Sequence, residues 1–185
     1  MEPGSKRPTA WPSGIDIEMR PLNESLLPAA QRVYEEVPGY FAALTGSTLP
    51  KPDEARIDFE GLPPGHSLDR KYYFGIWRRE EKDLVGILDY LDGYPRPSIG
   101  WIGLLLISER IQRRGLGRHA WEILAHWATR ELWNREFQLG VLDTNPGALL
   151  FWNKMGFRRT GQSKPGPLGR TIIVFSRPAL EDSSA

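Results

Sequence analysis

The spacing of apolar residues changes along the chain, and each change marks an element. Ile15-Asp16-Ile17-Glu18-Met19-Arg20 alternates at every second position, the pattern of a half-buried strand. Over residues 25–37 the apolar positions Leu26, Leu27, Ala30, Val33, Tyr34 and Val37 recur at helical spacing, with Pro28 suited to the first turn. Pro38-Gly39 interrupts that stripe. A short helix over 40–44 ends at Gly46, and a further one runs from 52 to 59 until the Pro- and Gly-rich residues 61–65 stop it. Three strand patterns follow at 71–78, 83–90 and 98–107, separated by polar residues 79–82 and by Asp92-Gly93-Tyr94-Pro95, as in an antiparallel meander. Leu116, Ala120, Ile123, Leu124, Trp127 and Ala128 give residues 116–132 one apolar helical face. The nearly continuous apolar run 137–142 predicts a central strand, parallel to 98–107 because a helical crossover lies between them. A short helix over 148–155 and a hairpin of 157–161 with 170–176, joined by a Pro- and Gly-rich loop at 162–169, complete the pattern. The expectation is a mixed α/β fold over residues 15–177, with segments 1–14 and 178–185 as loose tails.

Composition narrows the function. A chain of 185 residues suits one domain with a sizeable core. With 24 basic and 23 acidic residues, the formal charge of +1 supplies no global field for nucleic acid or an anionic membrane. The absence of cysteine excludes a disulfide framework, a thiolate metal site and an acyl-cysteine mechanism. No run approaches the ~20 apolar residues of a membrane span, and residues 1–14 lack the apolar core of a secretory signal, so a soluble cytoplasmic protein is the default expectation. The seven tryptophans and the clusters Tyr40-Phe41 and Tyr72-Tyr73-Phe74 are read as core, or in part as a cleft for an apolar or aromatic amine.

The chemistry centres on Gln112-Arg113-Arg114-Gly115-Leu116-Gly117, where a strand ends and a helix begins. Glycines there let the backbone turn tightly, and the first helical turn presents unpaired N–H groups at a positive dipole end, a seat for phosphate. Arg113, Arg114 and Arg118 add guanidinium charge, while Arg110 extends the same basic patch; the alternative is a solvated loop. The spacing fits neither a Walker loop nor a dinucleotide fingerprint.

The pattern Gln/Arg-x-x-Gly-x-Gly/Ala resembles the GNAT superfamily of N-acetyltransferases. A second segment, Asn145-Pro146-Gly147-Ala148-Leu149-Leu150-Phe151-Trp152-Asn153-Lys154-Met155-Gly156-Phe157, resembles that family's Asn-x-x-Ala-x-x-x-Tyr-x-x-x-Gly-Phe, with Trp152 where tyrosine is most usual. The resemblance implies a mostly antiparallel sheet of six to seven strands with one splayed parallel pair, flanked by about four helices. It implies acetyl-CoA held in the splay, with Leu105, Leu106, Ile107, Gln112, Arg113, Arg114, Gly115, Leu116, Gly117, Arg118, Asn145, Phe151 and Trp152 as its binding residues. The backbone N–H of Leu105 is the oxyanion donor to expect, against ordinary ladder bonding. Asn145 suits either a pantetheine contact or an N-cap before Pro146. An indole cannot replace a phenol as proton donor, so Trp152 leaves the thiolate's proton to Tyr90, Tyr94 or water, or to no donor at all. Asp89 is the candidate base, its alternative being a carboxylate on a solvent face. Asp58 and Glu60 could hold an amine cation, and His66, His119 and His126 form no convincing metal pair, so no metal is expected.

These readings converge on direct transfer from acetyl-CoA to a primary amine of a small molecule or amino acid. The alternatives are a peptide or protein amine as acceptor, and an acyl-CoA-binding module without chemistry. A nucleic-acid or membrane partner is not expected, and a homodimer is common among similar proteins.

Overall fold

The computed structural model describes residues 8–179. Seven strands form one sheet: β1 Ile17–Pro21, β2 Lys71–Arg78, β3 Leu84–Asp92, β4 Ile99–Ile107, β5 Glu136–Leu142, β6 Arg158–Pro165 and β7 Thr171–Pro178. Their spatial order is β1-β2-β3-β4-β5-β7-β6, and every neighbouring pair is antiparallel except β4 with β5. The helices are α1 Leu27–Glu35, α2 Pro38–Thr45, α3 Glu54–Glu60, α4 Leu116–Glu131 and α5 Pro146–Lys154. Among the described residues there are five helices, three of them between β1 and β2 where the sequence pattern placed them: Pro38 starts α2 and left-handed Gly46, at φ 77°, ends it.

Both faces of the sheet are covered. On one, Ala120, Trp121, Leu124 and Ala128 of α4 and Trp152 of α5 pack with Phe137, Leu139 and Phe157. On the other, Leu27, Ala30, Val33 and Tyr34 of α1 and Phe41 of α2 pack with Ile87, Leu104 and Leu106. Burying each large apolar side chain contributes roughly 1.5–3 kcal/mol, so helices this short are held chiefly by their inward faces.

Two segments differ from expectation. Residues 8–14 are packed rather than loose: the Trp127 indole donates to the Ala10 carbonyl at 2.7 Å, Met19 N donates to Pro12 O at 2.8 Å, and Trp11 meets Phe74 edge-on at 5.8 Å. Residues 1–7 and 180–185 of the expected tails lie outside the described residues. The last hairpin is longer than its sequence suggested, since β6 continues to Pro165. All of β6 is exposed, so no apolar alternation marked it; its β7 partner alone makes it a strand.

Candidate active site

The parallel pair opens into a wedge. β4 and β5 pair only from Ile99↔Glu136 to Ile102↔Leu139. Beyond that point β5 remains bound to β7, and β4 to β3. The cause lies in the β3–β4 register, where Asp89 faces Leu104 but Tyr90 faces Ile102, leaving Gly103 as an extra residue on β4. A bulge bends and twists its strand, and this one comes immediately after the last residue paired to β5. Leu105, Leu106 and Ile107 therefore present a backbone edge to the wedge, while their side chains pack into the two cores.

At the end of β4 the chain forms the Gly-rich turn that leads into α4. Arg113 and Gly115 both adopt left-handed backbone, at φ 63° and 83°, so that successive N–H groups turn to one side. Nothing stands within 4 Å of the point where a Cβ on Gly115 would sit, so glycine is set there by conformation and by access. No side chain caps α4, which leaves the N–H groups of Leu116, Gly117 and Arg118 open. Gln112 ties the loop back, its amide donating to the Ile107 carbonyl at 2.7 Å. Arg118 pairs with Glu122 at 2.7 Å on the exposed helix surface, whereas Arg113 and Arg114 make no ion pair among the described residues. Arg110 does not join this patch. It turns toward Glu36 and Asp83, at 3.0 and 3.3 Å, in a separate crevice beside Trp77.

Across the wedge, α5 supplies the second motif. Asn145 caps it, Oδ1 accepting from Ala148 N at 3.0 Å, which leaves the amide NH2 free for another partner. Phe151 lies 3.5 Å from the point where a Cβ on Gly117 would stand, bringing α5 against the first turn of α4. Trp152 is only 7 % exposed, with its ring edge-on to Trp121 and Phe157 at 6.0 and 5.1 Å.

Helix α2 is anchored to both sides of the wedge. At its start, Gly39 N donates to Glu109, just after β4, at 3.0 Å. Near its end, the Ala43 carbonyl accepts from Thr144 Oγ1, just after β5, at 3.3 Å and from the Arg170 guanidinium. Under this helix lies a polar cluster in which the Tyr34 hydroxyl bonds to Asp58 at 2.7 Å and to the Tyr73 hydroxyl at 2.9 Å. Burial and the nearby carboxylates of Asp58 and Glu54 push the Tyr40 hydroxyl well above its usual range.

Asp89 stands where this cluster meets the wedge. Its Oδ2 accepts from Lys71 Nζ at 3.0 Å and lies 3.1 Å from the point where a Cβ on Gly103 would be, so the exposed glycine leaves that oxygen open toward the bulge. Oδ1 is sealed and without a partner. Burial pushes the carboxyl up to about 6 even though Lys71 pulls it down.

Tyr90 faces the other way. It is fully buried, its hydroxyl donates to Asn134, and burial holds it well above the ordinary phenol range. Such a group cannot serve the wedge as an acid, and the expectation that gave it that role is corrected here. Tyr94 packs on Trp101 near the start of β4, away from the bulge. Asp89, Leu105 and both motifs are brought to one wedge; Lys71, Arg170 and the anchoring of α2 were missed, since no local pattern distinguishes a buried lysine from a solvated one. Among the described residues no group of three metal-ligating side chains occurs, and no helix is long and apolar enough to cross a membrane.

A splayed parallel pair, an open helix start at the end of one strand and a capped helix at the end of the other form the arrangement that the resemblance to GNAT acyltransferases implied. The family model described as Acetyltransferase (GNAT) family matches residues 28–157, and the chain belongs to that family. It is thus a GNAT N-acetyltransferase, and membership implies the use of acetyl-CoA. An acetyltransferase of Thermus thermophilus is 31 % identical, with 89 % of this chain and 97 % of that one covered and a TM-score of 0.70. The fold is shared with a GNAT-family acetyltransferase of Bacillus anthracis, at 12 % identity, 93 % and 100 % coverage and a TM-score of 0.69. It is shared as well with a GCN5-related N-acetyltransferase of Kribbella flavida, at 22 % identity, 88 % and 98 % coverage and a TM-score of 0.63. Among curated proteins no sequence match was found.

Proposed function

We propose that the protein transfers the acetyl group of acetyl-CoA directly to a primary amine of a small molecule or amino acid, with Asp89 as general base. The observation that carries this reading is the position of Asp89 Oδ2 beside the Gly103 bulge, where β4 leaves β5. Bound acetyl-CoA supplies the activated acetyl thioester. The open N–H groups at the start of α4 hold its phosphates, with Arg113 and Arg114 alongside, and Asn145 offers its amide NH2 to the arm. The Leu105 N–H is assigned as donor to the acyl oxygen.

The amine enters from the side of α1 to α3, past the half-buried rings of Tyr40 and Phe59, which suits a cation with an apolar body. Asp89 takes its proton as it attacks. The CoA sulfur leaves as thiolate and is protonated by solvent, since Trp152 and Tyr90 are committed to packing and to Asn134.

Release of CoA and of acetylated product over a panel of amines tests the reading. Activity is expected to rise with pH through about 6, because the base works only when ionised. Asp89→Asn should remove that rise and lower kcat/KM by about 100-fold, while the affinity for acetyl-CoA stays unchanged. Binding of acetyl-CoA without product from any amine would contradict the reading in favour of a binding module.

A further inference from the structure

Lys71 opens β2, yet its side chain is only 3 % exposed. A lysine so placed must find partners for its charge. It has three: the Asp58 carbonyl at 2.6 Å, the Gly61 carbonyl at 2.7 Å and Asp89 Oδ2 at 3.0 Å. The two carbonyls belong to the last turn and the C-cap of α3, where a helix leaves its own acceptors unpaired. An ammonium has three hydrogens, so this donor set is full.

We propose that Lys71 is a positioning residue of the acceptor site, pinning the end of α3 to β3 and holding the Asp89 carboxylate charged and turned toward Gly103. It does so without touching substrate. The inference rests on the reading of Asp89 as base.

The groups facing this carboxylate come from several elements. Lys71 and Tyr73 stand on β2, and Asp58 on α3; Tyr34 of α1 bonds to both Asp58 and Tyr73, and Tyr40 of α2 faces Asp58 and Glu54. Among them Lys71 is the one cation, and with the Tyr90 backbone N–H it opposes burial and the Asp58 charge, both of which disfavour ionisation. No second side chain donates to Asp89 among the described residues, and its sealed Oδ1 has no partner. Removing the ammonium therefore leaves a buried carboxylate with its chief support gone.

The test compares wild type, Lys71→Met and Lys71→Arg by two readouts. One is the titration of the Asp89 carboxyl by 13C NMR, assigned through Asp89→Asn. The other is the pH dependence of kcat/KM for whichever amine the wild type acetylates. Lys71→Met should move the Asp89 midpoint from about 6 to about 7 or higher, lowering kcat/KM at about pH 6.5 by about threefold or more with partial recovery in alkali. Lys71→Arg, which keeps the charge, should keep most of the wild-type profile. An unchanged Asp89 midpoint in folded Lys71→Met overturns the proposal, since a simple tether alters stability or the acceptor KM and leaves the midpoint in place. If instead Asp89→Asn retains the acid limb of the rate profile, the base itself is wrongly assigned and Lys71 loses its catalytic role, whatever the NMR shows.

Discussion

Trp152 stands at the tyrosine position of the GNAT motif that its segment resembles, and its ring is spent on packing. Its neighbours Trp121, Phe151 and Phe157 lie within 6.0 Å, centroid to centroid. Truncation should be costly: Trp152→Ala is expected to lower stability by about 3–5 kcal/mol, read by urea unfolding. Trp152→Tyr should keep turnover within a few-fold of wild type, because the proposed thiolate release uses no side-chain acid. A gain in turnover of tenfold or more from the tyrosine would show that the indole had displaced a working acid. Asp89 offers the opposite case, a buried group whose cost the proposed base role explains. Its unpaired oxygen and buried setting hold the carboxyl near 6, a value that lets it exist as base at neutral pH and still bind a proton during transfer.

At the scale of elements, the two walls of the wedge are coupled through α2. Glu109 holds its start from the β4 side, while Thr144 and Arg170 hold its end from the β5 side. Arg170→Met removes one of these anchors without touching the Gly-rich turn before α4. The expected result is a several-fold higher KM for the acceptor with an unchanged acetyl-CoA dissociation constant, measured by steady-state kinetics and by titration. Equal loss of both would place Arg170 in the CoA site instead.

This division also explains what could be read in advance. β2, α4 and the Gly-rich turn were legible because period and glycine placement are local properties: Lys71–Arg78 and the start of α4 at Leu116 lie where the pattern put them. The capping role of Asn145 was legible for the same reason, with Pro146 next to it. Contacts between distant segments were not. The direction of Arg110, the three-way bond of Lys71 and the burial of Tyr90 depend on register and on the β4 bulge, which no residue spacing encodes. Helix α2 was legible as a short helix over 40–44, but its anchoring was not, because the anchors come from residues 109, 144 and 170.

For the whole molecule, the sheet is a scaffold that stops pairing at one place. Gly103 leaves Asp89 Oδ2 uncovered at the bulge, so a single irregularity both opens the wedge and sets a carboxylate beside it. The near-neutral net charge, +1 over 185 residues, leaves binding of a polyanionic cofactor to local donors and not to a global field. The central claim, that the turn before α4 is the seat of the CoA phosphates, is tested most directly by calorimetric titration of acetyl-CoA into wild type and Gly115→Glu. Circular dichroism serves as the check that both are folded. A β-carbon strains the left-handed backbone, at φ 83°, by about 1 kcal/mol, and the carboxylate stands where phosphate charge must lie. The account predicts saturable wild-type binding and affinity at least about 100-fold weaker in the folded variant. Equal binding by the two proteins, or none by wild type, would contradict it.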